Sequence, residues 1–269
     1  MASTARSNSY PEIGTELVRE WIPGGEPKAY IVLVHGIAEH SGRYERVGSP
    51  LADAGFLVRS FDLIGAGASG GRRWHIDDWS RYDDQVQSHM EWARDQGGPV
   101  VLMGHSMGGL IALGYVLDGR PKPDLLVLSA PALSGGAPWQ RSLAPILSRL
   151  TPTLSIPSRV KGAHLSRDPA VGEAYFSDPL VITSATCALG AALFDEMDDV
   201  NERLADLNIP TLVIHGGDDR LVPTKSSEPL GALDCVDRKV YKGLRHETFN
   251  EPEGPQVMAD VITWLNEKL

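Results

Sequence analysis

Five short runs of contiguous apolar residues punctuate the chain: "AYIVLVH" (29–35), "GFLVRSF" (55–61), "PVVLMGH" (99–105), "DLLVLSA" (124–130) and "PTLVIHG" (210–216). They do not alternate apolar with polar, which is the signature of strands covered on both faces of a parallel sheet. "RKVYKGL" (238–244) is a weaker sixth candidate. Between the runs the apolar spacing changes to three and four. After Ile76 come Trp79, Tyr82, Val86, Met90 and Ala93; a second helix is expected from Met107 to about Leu117. The C-terminal segment places Val257, Val261, Ile262 and Leu265 on one face, with Pro255 near its first turn. Strands alternating with helices predict an α/β protein with a mostly parallel central sheet and crossover connections.

Residues 134–206 break this rhythm. They begin "SGGAPW", carry six prolines and contain Leu-rich helical pieces without a convincing strand. The pattern therefore divides the chain into a first core segment (1–133), a helical insertion between two strands (134–206) and a second core segment (207–269). A long irregular crossover is the alternative for the insertion. Within it, "SLAPILSRLTPTLSI" puts Leu143, Ile146, Leu147 and Leu150 on one helical face. That face either packs on the core or rims an entrance and touches a lipid surface.

Composition narrows the setting. With 42 % hydrophobic and 22 % charged residues the chain reads as globular, and a net charge of −10 without a basic block argues against a nucleic-acid partner. Cys187 and Cys235 lack metal or redox spacing and read as free thiols. The start, "MASTARSNSYPEIG", lacks the apolar stretch of a signal peptide, and no run reaches the ~18 apolar residues of a membrane span. A cytoplasmic protein, at most peripheral to a membrane, is the expectation.

Two glycine-rich loops compete for the chemistry. "IGAGASGG" (64–71) spells G-x-G-x-x-G after a strand, the pattern of a dinucleotide-binding turn. Such a turn must open directly into a helix whose N-terminus holds the pyrophosphate, with an acidic residue at the end of the next strand. Here "GRRWHIDDW" intervenes, and Glu91 and Asp95 fall inside a helical pattern. The context fails, and no cofactor is expected. "VVLMGHSMGGL" fits better: Gly104-His105-Ser106-Met107-Gly108 is G-x-S-x-G between a strand and a helix. A nucleophile on so tight a turn needs glycines two residues to either side, because neighbouring chains approach closely. The turn also aims the backbone N–H of Met107 at a developing oxyanion. An ordinary turn with a capping serine is the alternative.

A serine nucleophile needs a base, and the base an orienting acid. In the order Ser, acid, His expected of α/β hydrolases, His246 in "KGLRHETFNEPEG" follows the last strand, while His35, His40, His75 and His89 precede the serine. His105 is its constrained neighbour, His164 lies in the insertion, and His215 ends a strand ahead of the acid loop. That loop, "HGGDDRLVP", offers both Asp218 and Asp219. The second oxyanion donor is expected from Ile37 in "LVHGIAEHSGRY", with Gly36 permitting the turn and His35 bracing it.

Taken together, "HGIAEHSGRY", "GHSMGG", "LSRDP…AYFSDPLV", "GGDDRLVP" and "RHETFNEPE" resemble, in order, the signatures of monoacylglycerol lipases, bacterial members especially, from about residue 29 onward. The resemblance implies the α/β-hydrolase fold with residues 134–206 as a cap. It implies Ser106 as nucleophile, His246 as base, Asp219 rather than Asp218 as acid, and Ile37 and Met107 as oxyanion donors. It also places Glu39 and Arg43 near a glycerol group, a loop-stabilising ion pair being the other possibility. The family usually reads D-H-x-G-H-G-x-S where this chain has Asp62-Leu63-Ile64-Gly65-Ala66-Gly67-Ala68-Ser69, and Phe249 stands where some relatives are polar. A serine esterase acting on monoacylglycerols or similar medium-to-long acyl esters is the implied function, with a broad carboxylesterase or lysophospholipase as runner-up. A peptidase lacks an evident acidic cluster in the cap, dehalogenases and epoxide hydrolases use an Asp nucleophile, and a non-catalytic ligand-binding module would not need the full residue set.

Overall fold

A computed structural model of the chain describes residues 4–10, 14–158 and 160–269; parts of the N-terminal stretch read for targeting signals lie outside them. The strands are β1 (Thr4–Tyr10), β2 (Gly14–Trp21), β3 (Tyr30–Val34), β4 (Leu57–Phe61), β5 (Val100–His105), β6 (Leu125–Ser129), β7 (Ser155–Pro157), β8 (Ser184–Thr186), β9 (Thr211–Gly216) and β10 (Val236–Tyr241). The helices are α1 (Glu45–Asp53), α2 (Ser80–Asp95), α3 (Met107–Leu117), α4 (Pro138–Leu150), α5 (Gly162–Leu165), α6 (Pro169–Ser177), α7 (Cys187–Arg203) and α8 (Gly254–Lys268). Eight strands form one sheet in the order β1-β2-β4-β3-β5-β6-β9-β10. The β1–β2 and β2–β4 pairs are antiparallel and all later neighbours parallel.

The contiguous apolar runs have the expected cause. Along β3, Val32 and Val34 pack with α2, α3 and α7, while Ile31 and Leu33 pack with α1 and α8. Because successive strand residues face opposite sides, burial on both sides requires every position to be apolar. The weaker sixth run is the edge strand β10, where buried and exposed positions mix.

Several elements escape the hydrophobic pattern for identifiable reasons. Strand β2 buries Glu16 and Glu20. Gln85 Nε2 and His89 Nε2 meet Glu16 at 2.6 and 3.1 Å, and Arg6 and Arg59 meet Glu20 at 2.7 and 3.3 Å. These partners let carboxylates occupy positions that look solvent-facing in sequence. Helix α1 is masked by Gly48 and Pro50; a Cβ at Gly48 would lie 2.1 Å from the Trp21 ring. Helix α2 starts at Ser80, later than the pattern from Ile76 suggests.

The connection from β6 to β9 carries α4 to α7. The expected absence of strands there is corrected by β7 and β8, which pair antiparallel over three residues each. Elements that short leave no period in the sequence.

The first glycine loop is a structural turn. Gly65 and Gly67 have φ of 76° and 49°. Asp62 Oδ1 accepts from Ser41 N–H and Oγ–H (2.8 and 2.7 Å), and Oδ2 from Ala68 N–H (2.8 Å). Ser69 Oγ donates to Asp62 O (2.8 Å) and accepts from Leu17 N–H (3.0 Å). Leu63 and Ala66, at the family's histidine positions, are buried in the core. The loop continues to Trp74, whose carbonyl accepts from Thr186 N–H and Oγ–H (3.0 and 3.1 Å), tying the insertion to the core.

The second loop is where the backbone is tightest. A Cβ at Gly104 would sit 2.2 Å from Gly108 O, and one at Gly108 would sit 2.3 Å from Val34 O and 2.4 Å from His35 O. These neighbours are backbone atoms and cannot step aside, so Gly108→Ala forces β3 and α3 apart. We expect a drop of about 5–10 °C in melting temperature, since ~1 kcal/mol moves a domain of this size by ~2–4 °C; a thermal melt matching wild type would contradict it.

Candidate active site

Ser106 stands between β5 and α3 with φ 53° and ψ −118°, a conformation that side chains rarely adopt. Its N–H donates to Ser129 O (2.9 Å) and its carbonyl accepts from Leu110 and Ala132 N–H (3.1 and 3.0 Å), so both neighbouring segments hold the strained residue. Met107 follows as the first residue of α3.

Asp219, on the loop after β9, is buried, whereas Asp218 is exposed. Asp219 Oδ2 lies 2.7 Å from His246 Nδ1 and 3.2 Å from His215 Nε2; Oδ1 accepts from Leu221 and Val222 N–H (2.8 and 3.0 Å). Burial opposes ionisation of Asp219, but the two imidazoles and the backbone donor outweigh it and hold the carboxyl well below the usual range. His246 is opposite: burial disfavours its cation, yet the bond and the charge of Asp219 dominate and raise its pKa above the ordinary 6.5. With Nδ1 donating to a carboxylate, the neutral ring keeps its lone pair on Nε2. Ser106 and His246 line one pocket of about 270 Å³.

His215 was not singled out as a site residue. Its Nε2 faces only acceptors, Asp219 Oδ2 and the Val222 carbonyl (3.0 Å), so Nε2 carries a proton and braces the acid from behind. The sequence places it at a strand end and gives no sign of this contact.

The loop after β3 supplies the opposite wall. Ile37 lines the pocket and Ala38 has φ 64°. His35 Nε2 accepts from Leu63 N–H (2.9 Å) while Nδ1–H donates to Gly36 O (2.8 Å). This bracing needs a neutral ring, and burial lowers its pKa accordingly.

Glu39 and Arg43 line the same pocket, already engaged with each other. Arg43 Nη1 reaches Glu39 Oε2 (2.6 Å) and Glu247 Oε1 (2.8 Å), and Nη2 reaches Glu247 Oε2 (2.9 Å). Glu39 Oε1 accepts from Gly36 N–H (2.7 Å) and Tyr44 Oη–H (2.6 Å). Burial works against the Glu39 charge, but Arg43 overrides it and brings the pKa down to about 2. Tyr175 of α6 lies 4.7 Å from the guanidinium, over its ring. The cluster thus joins the Ile37 loop, the His246 loop and the insertion. Glu247 is the member sequence reasoning missed: its partner is 204 positions away. Next to the cluster a cavity of about 20 Å³, closed by Val47 and Phe249, holds about one water.

These features meet known proteins as follows. A family model described as serine aminopeptidase, S33, matches residues 25–253. The monoacylglycerol lipase of Mycolicibacterium smegmatis is 36 % identical, covering 98 % of this chain and 98 % of its own. Human monoglyceride lipase is 32 % identical over 93 % of this chain and 86 % of its own. The crystal structure of the Paleococcus ferrophilus monoacylglycerol lipase matches with a TM-score of 0.86 at 31 % identity, covering 94 % and 98 % of the two chains. Sheet order and likeness together make this an α/β hydrolase, and a serine carboxylic-ester hydrolase within that class. The chain belongs to the monoacylglycerol lipase family.

Arg43→Met strands Glu39 and Glu247 as buried carboxylates without their cation. Breaking such a cluster typically costs ~3–5 kcal/mol. Urea unfolding is expected to show a loss of that order, partly recovered when Glu39→Gln and Glu247→Gln are added; unchanged stability in the single variant would refute the clamp.

Proposed function

We propose that the protein hydrolyses monoacylglycerols or similar medium-to-long acyl esters through an acyl-enzyme on Ser106. The observation that carries this reading is the short His246–Asp219 bond in the pocket that also holds the strained Ser106. His246 Nε2 takes the Ser106 proton as Oγ attacks the ester carbonyl. The N–H groups of Ile37 and Met107 receive the oxyanion, a contribution of ~3–4 kcal/mol per donor where measured. His246 returns the proton to the departing alcohol, then activates water for deacylation. Asp219 fixes the imidazole tautomer and supports its transient charge. Residues 134–206 act as a cap over the acyl chain.

One observation favours a second reading, a carboxylesterase of broad alcohol preference. Glu39 and Arg43 satisfy each other and Glu247, and the polar cavity beyond them accommodates about one water. A glycerol group has no ready-made polar recess there. The same pairing weakens a peptidase reading, because a substrate ammonium needs a carboxylate that Arg43 has not already engaged.

A peripheral membrane contact through α4 is proposed from its surface. Among the described residues no helix is long and apolar enough to cross a membrane. Yet none of α4 is buried, and Trp139, Leu143, Ile146 and Leu150 follow one another at helical spacing with 43–75 % exposure. A stripe of that kind lies well on a lipid interface.

Ser106→Ala is expected to abolish turnover of monoolein and p-nitrophenyl esters while the fold persists; near-native turnover would sink the mechanism. In wild type the acid limb of kcat/KM should have its midpoint above 6.5, because protonation of His246 removes the base and Asp219 raises its pKa. Asp219→Asn should move that limb down and cut kcat by roughly 10⁴. A ratio of monoolein to simple-ester kcat/KM near or below one would favour the carboxylesterase reading. For the membrane contact, co-sedimentation with liposomes should be lost in Ile146→Asp/Leu150→Asp; wild-type protein remaining in the supernatant would reject it.

A further inference from the structure

The pocket at Ser106 is small for the substrate proposed above. At about 270 Å³ it lies below the ~300–1,000 Å³ of most small-ligand sites, and it must also take the ester group. A second cavity of about 230 Å³ runs beneath α4. The two share Ile156, Ser158, Ala185 and Phe194 as walls.

Phe194, on α7, stands in this partition and is held there. A Cβ at Gly136 would lie 2.5 Å from Phe194 Cζ, so only glycine fits at that point, where φ is 74°. The Arg141 guanidinium lies over the ring, 4.9 Å from its centroid. Arg141 is fixed in turn by Asp198 and by the carbonyl of Gly135 (3.3 Å). Beyond the ring, the second cavity is faced by Leu143 and Leu147 of α4 on one side and by α7 on the other. One turn before Phe194 on α7 is Gly190, a helical glycine whose added Cβ would meet nothing within 4 Å. A helix interior tolerates glycine at a cost of ~1 kcal/mol relative to alanine. Here its effect is to leave the cavity open.

We propose that the groove beneath α4 is a distal compartment for the acyl chain, with Phe194 as its gate and Gly190 as its floor. Short acyl groups fit entirely on the Ser106 side. Longer chains displace the Phe194 ring and lay their terminal methylenes between α4 and α7. The assignment rests on the reading of Ser106 as the acylated residue. It predicts that chain-length preference is set at residues 190 and 194, away from the groups that break the ester.

The test uses alkyl fluorophosphonates with butyl or hexadecyl chains, which need no turnover. The serine oxygen bonds to phosphorus, fluoride departs, and the hydroxyl proton is lost through the histidine; intact mass gives the labelling rate. Gly190→Trp should leave the butyl rate within about twofold and slow the hexadecyl probe by ~10-fold or more, since each methylene denied burial is worth ~0.8 kcal/mol. Leu147→Trp, filling the cavity from the facing wall, should give the same split, and Phe194→Ala should speed the hexadecyl probe selectively. The butyl rate also reports that each variant is folded. Equal slowing of both probes, as a mere entrance would give, overturns the compartment, and so does no slowing of either. Wild type that reacts with neither probe overturns the reading of Ser106 itself, whatever stands at residue 190.

Discussion

Ser106 is held in a left-handed turn by backbone packed against backbone, and the arrangement of the site depends on that contact. The carbonyls of Val34, His35 and Gly108 occupy the space that side chains at 104 and 108 would need. A serine at φ 53° is costly by itself. It is retained because the hydrogen bonds at Ser129, Leu110 and Ala132 fix the chain on both sides of it. Since the contact requires the end of β3 to lie beside β5, the Ile37 loop is carried to the serine by the same packing. The strand order therefore sets the site's geometry, and the loops inherit it.

Electrostatics then lock the loops that the sheet brings together. Asp219 receives protons from two imidazoles and two backbone N–H groups, which keeps it ionised despite burial. On the opposite wall Arg43 gathers Glu39 and Glu247 into one buried cluster that spans three segments distant in sequence. The two clusters do different work. The first tunes a base, and the second holds the base's loop against the loop that carries Ile37. An isolated buried ion pair is poor evidence of stability, but a cluster whose members all have partners fixes loop positions sharply.

The insertion is bound to this frame at three places: Trp74 to Thr186, Arg43 to Tyr175, and His40 Nε2 to Asp178 (2.8 Å). Two of the three lie on loops that border the pocket, so the position of the insertion and the shape of the site are mechanically linked. The α4 side, by contrast, is half-open, with its apolar face outward and a cavity beneath it. Chemistry and chain accommodation thus occupy different parts of the molecule.

The sequence by itself determined the parallel sheet, because strands buried on both faces leave contiguous apolar runs. It determined the serine turn as well, because only glycines at 104 and 108 survive the backbone approach, and that requirement is local. It could not reveal β2, whose carboxylates are acceptable only beside Gln85, His89, Arg6 and Arg59, nor β7 and β8, which are too short to show a period. From the residues alone Asp218 and Asp219 were equivalent, and the family resemblance, not the spacing, favoured Asp219. Burial and the bond to His246 distinguish them in space. His215 behind the acid, Glu247 beside Arg43, and Phe194 between two cavities were decided by tertiary structure alone. Each acts through a partner that folding places next to it, and a linear pattern carries no record of contacts across such distances.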